Sequence, residues 1–346
     1  MSRKELLLQR SAWMGEPNSP VVISSRVRLA RNLEDFPFPH VVSHEGATQI
    51  EQTISEVLTA GTIEPLEYIS LTELTSVEHQ VLIEKHLISP SLGGLKGARG
   101  VALAPDHRYS VMVNEEDHLR IQVLLPGNQL QETHRLATEL DDHLEEKLDF
   151  AYRESNGYLT ACPTNVGTGL RASVMVHLPG LVMTKQVQQV LGAVTRLGLA
   201  VRGLYGEGSQ AFGHMFQVSN QITLGKSEED ILSHLDAVTR QIVEHELQAR
   251  EQLQKQTPMI LEDKVWRARG TLQSARLLSS EDAMHLLSHD RLGTDMGLLP
   301  KIKDCFATLI IDTRPGCLQY ILDRELDSGQ RDEERARMIR GAMLDA

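Results

Sequence analysis

The sequence predicts an α+β protein, with strands in its first 226 residues and helices beyond. Short strand-like runs recur upstream: Val21-Val22-Ile23 and Tyr109-Ser110-Val111-Met112-Val113 are apolar, while Leu119-Arg120-Ile121-Gln122-Val123 and Arg171-Ala172-Ser173-Val174-Met175-Val176-His177-Leu178 alternate with period two. After Ser227 the apolar residues change to helical spacing. At 346 residues the chain also exceeds the roughly 250–300 residues that one core serves. Two domains are therefore expected, 1–226 and 227–346.

The first strand leads into Ser24-Ser25-Arg26-Val27-Arg28-Leu29-Ala30-Arg31. Arg26 and Arg28, two apart on an extended chain, project to one side. Two parallel guanidinium groups repel unless an anion lies between them, and the planar guanidinium fork suits phosphate. The next two strands flank Asn114-Glu115-Glu116-Asp117-His118. A tight hairpin usually asks for Asn-Gly or Asp-Gly. Three crowded acids there cost stability unless they hold something cationic. A solvated acidic loop fits the segment as well. On the second of these strands Arg120 and Gln122 share a face.

The fourth run places Arg171 and Ser173 on one face, with Ala172, Val174, Val176 and Leu178 on the other. A glycine-rich loop follows, Arg202-Gly203-Leu204-Tyr205-Gly206-Glu207-Gly208-Ser209. Taken singly, each arginine reads as a salt-bridged structural residue. Together Arg26, Arg28, Arg120, Arg171 and Arg202 suggest a polyanion site such as a nucleoside triphosphate.

In the second half, Ser227-Glu228-Glu229-Asp230 reads as an N-cap with acids in the first turn. Ile231, Leu235, Val238, Ile242 and Leu247 then recur at helical spacing until Pro258 breaks the helix. Further helices are expected over residues 265–278, from Ser279-Ser280-Glu281-Asp282 onward, and over about 327–344. Ala307-Thr308-Leu309-Ile310-Ile311 is the one run there that could be a strand. On the last helix Arg331-Asp332-Glu333-Glu334-Arg335-Ala336 fits a solvated face with Asp332–Arg335 and Glu333–Arg337 pairs, each worth about 0.2–0.5 kcal/mol.

Composition narrows the function classes. A hydrophobic fraction of 41% without long polar tracts indicates a folded protein. No apolar run approaches the roughly 18 residues of a membrane span, and the charged start Met1-Ser2-Arg3-Lys4-Glu5 does not read as a secretory signal. Cys162, Cys305 and Cys317 are odd in number and lack Cys-x-x-Cys spacing, which points to a reducing cytoplasm. A net charge of −12 disfavours a general nucleic-acid surface and suits basic partners. The 14 histidines show no metal-ligand spacing, so no protein-held metal is expected. There is no Gly-x-x-x-x-Gly-Lys-Ser/Thr loop and no His-Arg-Asp or Asp-Phe-Gly segment.

Asn114-Glu115-Glu116-Asp117-His118-Leu119-Arg120, Cys162-Pro163-Thr164-Asn165-Val166-Gly167-Thr168, Ser24-Ser25-Arg26-Val27-Arg28 and Arg202-Gly203-Leu204-Tyr205-Gly206-Glu207 together resemble the guanidino-kinase (phosphagen kinase) family. Within it the chain is most similar to the bacterial branch that phosphorylates arginine side chains of proteins. The motifs run in the family's order from about residue 21 to about residue 225. The resemblance implies a catalytic domain built on an antiparallel sheet flanked by helices, with a C-terminal helical domain for dimerisation and phosphoarginine sensing.

It also implies roles. Glu116 and Glu207 match the carboxylates that hold the substrate guanidinium, and Cys162 matches the family's active-site cysteine. ATP contacts would fall on Ser24, Ser25, Arg26, Val27, Arg28, His86, Arg120, Arg171, Ala172, Ser173, Val174, Met175, Arg202, Gly203, Leu204, Tyr205, Gly206 and Glu207. The nucleotide would carry Mg2+ with it. Arg331, Asp332, Glu333, Glu334, Arg335 and Ala336 resemble a regulatory pocket for phosphoarginine.

Small-molecule members carry a helical domain ahead of the Ser-Ser-Arg-Val-Arg segment. Only 23 residues precede Ser24 here, which predicts a more open substrate site. The expected partners are arginine-containing proteins (a heat-shock repressor and unfolded proteins), a zinc-finger activator, an AAA+ unfoldase-protease and a second copy of the chain. Two alternatives stay open: a kinase for a free guanidino compound, and a non-catalytic nucleotide-binding adaptor.

Overall fold

The computed structural model describes residues 1–94, 97–203, 211–303 and 306–344. Ten strands occur among them: β1 (Val22–Arg31), β2 (Glu67–Ser70), β3 (Gly100–Leu103), β4 (Tyr109–Val113), β5 (Leu119–Pro126), β6 (Tyr152–Arg153), β7 (Gly157–Tyr158), β8 (Leu170–His177), β9 (Leu199–Gly203) and β10 (Met215–Asn220). Eight of them hydrogen-bond in the order β2-β3-β4-β5-β1-β8-β10-β9, while β6 and β7 pair separately. β2 to β5 form an antiparallel meander. The α+β reading holds, and β1, from the start of the chain, lies inside the sheet between β5 and β8.

The described chain forms two compact units, each discontinuous in sequence. One comprises Met1–Trp13, Ser25–Ser173 and Ser219–Asp236, and the other Met14–Ser24, Val174–Val218 and Ala237–Ala346.

In the first unit, the alternation that predicts β5 is also what packs it, while β4 is buried on both faces. Leu119, Ile121 and Val123 are fully buried, and the helix Leu130–Glu145 turns Leu136, Ala137, Leu140 and Leu144 toward β5. Met112 pairs with Arg120 and Ser110 with Gln122 across the hairpin, so register sets which residues share the polar face. The helix His44–Thr59, capped by the Ser43 hydroxyl on Gly46 N at 3.1 Å, buries Ile50, Ile54 and Leu58 and lies against β2 and β3.

The second unit holds the C-terminal helices. Pro258 does not merely end a helix: it is the first residue of Pro258–Ser274, where its missing N–H costs nothing. That helix therefore begins earlier than the 265–278 expected, and it stops at Ala275, whose ψ of 142° is extended. Ser280–Asp295 and Ser328–Leu344 fall where expected. Leu253, Leu261, Val265, Leu292 and Leu299 make a shared core.

Two expectations are corrected. Ala307 to Ile311 is helical, within Phe306–Asp312. Six successive residues there are buried, and a run buried on every side has no polar period to separate helix from strand. Leu247 is exposed at 43%, because the helical stripe through Ile242 continues at Glu246. That glutamate is fully buried, accepting from Gly180 N and Leu181 N at 2.9 Å each and from Arg250 Nε at 2.7 Å. A carboxylate thus caps the helix Pro179–Met183 from inside the core.

Candidate functional site

Three adjacent strands of the first unit put four arginines together: Arg26 and Arg28 on β1, Arg120 on β5 and Arg171 on β8. Neighbouring strands lie about 4.8 Å apart, so their charges act on one another. Val27 and Leu29, between and beyond the β1 arginines, are buried on the opposite face. Burial first, and then Arg120 and Arg171, push the Arg26 guanidinium down to about 10. Arg28 is driven well below its usual value by burial and by Arg26, Arg120 and Arg171, with Glu115 opposing. The Arg28 Nε is buried without a hydrogen-bond partner. Arg26 Nε donates to Ser173 Oγ at 3.4 Å, and Arg171 Nη2 donates to Ser219 Oγ at the same distance. A polyanion bound here would offset the like charge of the four arginines.

The acid turn closes the β4–β5 hairpin. Asn114 adopts a left-handed conformation at φ 55°, which asparagine tolerates. Its N–H bonds His118 O at 2.9 Å, and Glu115 N bonds Asp117 O at 3.1 Å. The three acids do three different things. Asp117 is fully buried, and its Oδ1 accepts from Asn32 Nδ2 and Ala161 N, both at 2.7 Å. Burial raises its pKa. Glu115, also buried, accepts a hydrogen bond from Ser89 Oγ at 2.5 Å and forms an ion pair with Arg120 Nη1 at 2.6 Å. Glu116 is exposed, with its side chain 46% accessible, and touches Arg120 Nη2 at 3.1 Å. Arg120 therefore pairs with two carboxylates while its charge also acts on Arg26 and Arg28.

The other expected residues distribute as follows. His86 is half-buried in a left-handed conformation. Its carbonyl accepts from Gln122 Nε2 at 2.8 Å, which brings it to Arg120's face of β5. Ser25 is committed to the framework: its hydroxyl donates to Gly127 O at 2.8 Å and accepts from Gln129 N at 2.9 Å. Val27, Ala172 and Val174 are core residues, so their side chains position the strands. Cys162 is half-buried, with Sγ 3.0 Å from Thr164 Oγ1. Its neighbour Ala161 donates to Asp117, which ties the cysteine loop to the acid turn.

Ser24, Met175, Arg202 and Gly203 belong to the second unit. Ser24 and Met175 are buried, and Arg202 is exposed on β9. Leu204, Tyr205, Gly206 and Glu207 lie outside the described residues.

Sequence reasoning missed Asn32, whose Nδ2 holds Asp117 at 2.7 Å and whose Oδ1 accepts His118 N at 2.9 Å. It also missed the separate part of Glu115. Only the adjacency of Glu115 to Glu116 hinted at that part, and a lone asparagine after a strand carries no signal.

On the last helix, Arg335 is 1% exposed. Its Nε donates to Thr313 O at 2.8 Å, and its Nη1 to Leu278 O at 2.7 Å and Asp332 Oδ1 at 2.6 Å. Arg331 Nη1 donates to Leu326 O at 2.7 Å. The Glu333–Arg337 pair also forms, at 3.4 Å.

Two family models match the chain. Residues 49–249 match the family described as ATP:guanido phosphotransferase, C-terminal catalytic domain. Residues 258–346 match the protein-arginine kinase McsB C-terminal domain. The chain is 50% identical over 348 residues to a protein-arginine kinase of Desulforamulus reducens, covering 98% of each. It is 47% identical to one of Brevibacillus brevis, covering 98% of this chain and 97% of that one.

Among solved structures, the duplicated taurocyamine kinase of Schistosoma mansoni with bound transition-state-analogue components superimposes with a TM-score of 0.60 at 27% identity. The match spans 69% of this chain and 34% of that duplicated one. A lombricine kinase shares the fold, with a TM-score of 0.58 at 23% identity over 70% of each chain.

Proposed function

The chain belongs to the protein-arginine kinase family of ATP:guanidino phosphotransferases, and from that membership we propose how its residues divide the reaction. The activity is ATP-dependent phosphoryl transfer to arginine side chains of proteins. Arg26, Arg28, Arg120 and Arg171 hold the triphosphate, joined by Arg202, and the acid turn holds the acceptor guanidinium. The observation that carries this is Arg120, paired with Glu115 and Glu116 while it repels Arg26 and Arg28. An anion held by the arginines and a cation held by the acid turn would meet there.

A guanidinium is protonated at neutral pH and has no free lone pair, so it is a poor nucleophile. Glu116, the accessible acid, orients the acceptor nitrogen and takes its proton. The nitrogen–phosphorus bond forms as the bond between the γ-phosphorus and the β–γ bridging oxygen breaks, and ADP leaves. Positioning and cations for the equatorial oxygens are the main requirements of such a transfer. Guanidinium groups cannot ligate a metal, so magnesium would sit on the phosphate oxygens, where it supplies further charge neutralisation. Glu207 is assigned to the second guanidinium contact, and Cys162, fixed through Ala161 and Asp117, to the acceptor's flank.

The same reading extends to biology by resemblance. Residues 1–226 carry catalysis and 227–346 carry dimerisation and regulation. Phosphoarginine marks a heat-shock repressor and unfolded proteins for an AAA+ unfoldase-protease in the cytoplasmic stress response, with a zinc-finger activator. Among the described residues no helix is long and apolar enough to cross a membrane. Residues 331–336 are assigned to a phosphoarginine pocket on their motif. Arg331 and Asp332 keep some exposure there, whereas Arg335 is a buried strut, so the phosphate would fall to Arg331.

The test is to incubate the protein with Mg-ATP labelled at the γ-phosphate and an arginine-containing protein, and to measure acid-labile label on arginine. Glu116→Gln should leave ATP affinity nearly intact and abolish transfer. Loss of nucleotide affinity with turnover preserved would overturn the assignment.

A further inference from the structure

Beside the acid turn lies a cavity of about 160 Å³, with Pro39, Val42, Ala47, Ala98, Arg99 and Asn114 in its walls. That is the liquid volume of about five waters. Asn114 is 2% exposed. Its Nδ2 donates to Ala47 O and Ala98 O, each at 2.8 Å, and its Oδ1 has no hydrogen-bond partner. Arg99 Nη1 is likewise buried and unpartnered. Orphaned buried polar atoms are uncommon, and each calls for an explanation. Here an acceptor and a donor are orphaned on residues of the same cavity. The hairpin does not need either atom, since its turn closes through Asn114 N and Glu115 N.

The cavity adjoins the proposed acceptor site. Asn114 directly precedes Glu115 and Glu116, and Glu115 lies close enough for its charge to act on Arg99. The orphan pair selects among ligands. A carboxylate or phosphate would satisfy Arg99 but offers no donor to Asn114 Oδ1. A cation would answer Oδ1 and be repelled by Arg99. The rest of the wall mixes Pro39, Val42, Ala47 and Ala98 with Ser43 and His44, which gives an uncharged peptide unit both apolar and polar contacts. A main-chain peptide unit presents one C=O and one N–H, the complement of the two orphans.

We propose that this cavity seats a peptide unit of the substrate polypeptide beside the target arginine, Arg99 donating to its C=O and Asn114 Oδ1 accepting its N–H. The inference rests on the placement of the acceptor guanidinium at the acid turn. It makes the enzyme read main chain, a group that recurs at every arginine of an unfolded segment. Preference for polypeptide over free arginine then has a physical source within this chain.

The experiment uses the full chain, Mg-ATP and a capped peptide with a single arginine. Backbone N–H groups on either side of that arginine are replaced one at a time by ester oxygen. One position should raise KM about 3- to 10-fold, the scale of one neutral hydrogen bond, with little change elsewhere. Arg99→Met should raise KM for the all-amide peptide by a similar factor while KM for ATP stays within about 2-fold.

A flat ester scan overturns the proposal and leaves water as the occupant of the cavity. Equal effects of Arg99→Met on peptide and ATP would overturn it too. Free arginine phosphorylated as efficiently as the peptide would assign the two orphans to a zwitterion. If wild-type enzyme does not phosphorylate the all-amide peptide at all, the substrate-class reading fails, and this proposal fails with it.

Discussion

Arg28 is half-buried and Arg335 fully buried, and the protein treats the two arginines in opposite ways. Arg335 meets Thr313 O, Leu278 O and Asp332 within 2.9 Å. Arg28 is surrounded by Arg26, Arg120 and Arg171, with Glu115 as the opposing charge and its own Nε unanswered. A guanidinium whose partners are carbonyls of its own chain is part of the framework. One whose neighbours are other guanidinium groups leaves the cost of its burial to be offset by a ligand. What separates the two roles is the list of partners.

The largest expected effect lies where the cluster meets the acids. Arg120→Ala should lower turnover by about 10²–10³-fold, the scale for removing one preorganised charge stabiliser. Wild-type turnover in this variant would make the cluster structural and collapse the contrast with Arg335.

The other half of the contrast predicts a loss of stability. Arg335→Ala orphans two carbonyls and frees Asp332, and should cost about 2–4 kcal/mol in chemical denaturation. Asp332→Ala removes one partner of a residue that keeps two others, and should cost less. Near-neutral behaviour of Arg335→Ala, together with loss of a phosphoarginine response in activity, would mean that Arg335 leaves its carbonyls to bind phosphate. The regulatory pocket would then use both arginines.

Much of this contrast was legible in the sequence and some was not. The alternation from Leu119 is strong because one face of that strand is apolar, so the strand and the shared face of Arg120 and Gln122 could be read directly. The motif arginines were visible because their spacing matches strand period. What escaped reading depends on tertiary partners. The Arg331 to Ala336 run supports a surface pair and a buried strut equally well, and only Thr313 and Leu278, distant in sequence, decide. Asn32 reaches Asp117 across 85 positions, a pairing no local pattern announces. Glu246 takes an inward helical position that hydrophobic periodicity assigns to an apolar residue. Phe306 to Ile311 is too uniformly buried to show any period.

The most direct test is thermal melting of wild type, Arg28→Met and Arg335→Ala, with and without a non-hydrolysable ATP analogue. A ligand at a hundredfold excess over its Kd stabilises by about 2.7 kcal/mol. Wild type and Arg335→Ala should both gain from the nucleotide, the latter from a lower starting point. Arg28→Met should melt at or above wild type without nucleotide, because a like charge has been removed, and should gain little from adding it. If Arg28→Met instead melts well below wild type and keeps the full nucleotide gain, Arg28 is framework and the cluster is not the triphosphate site.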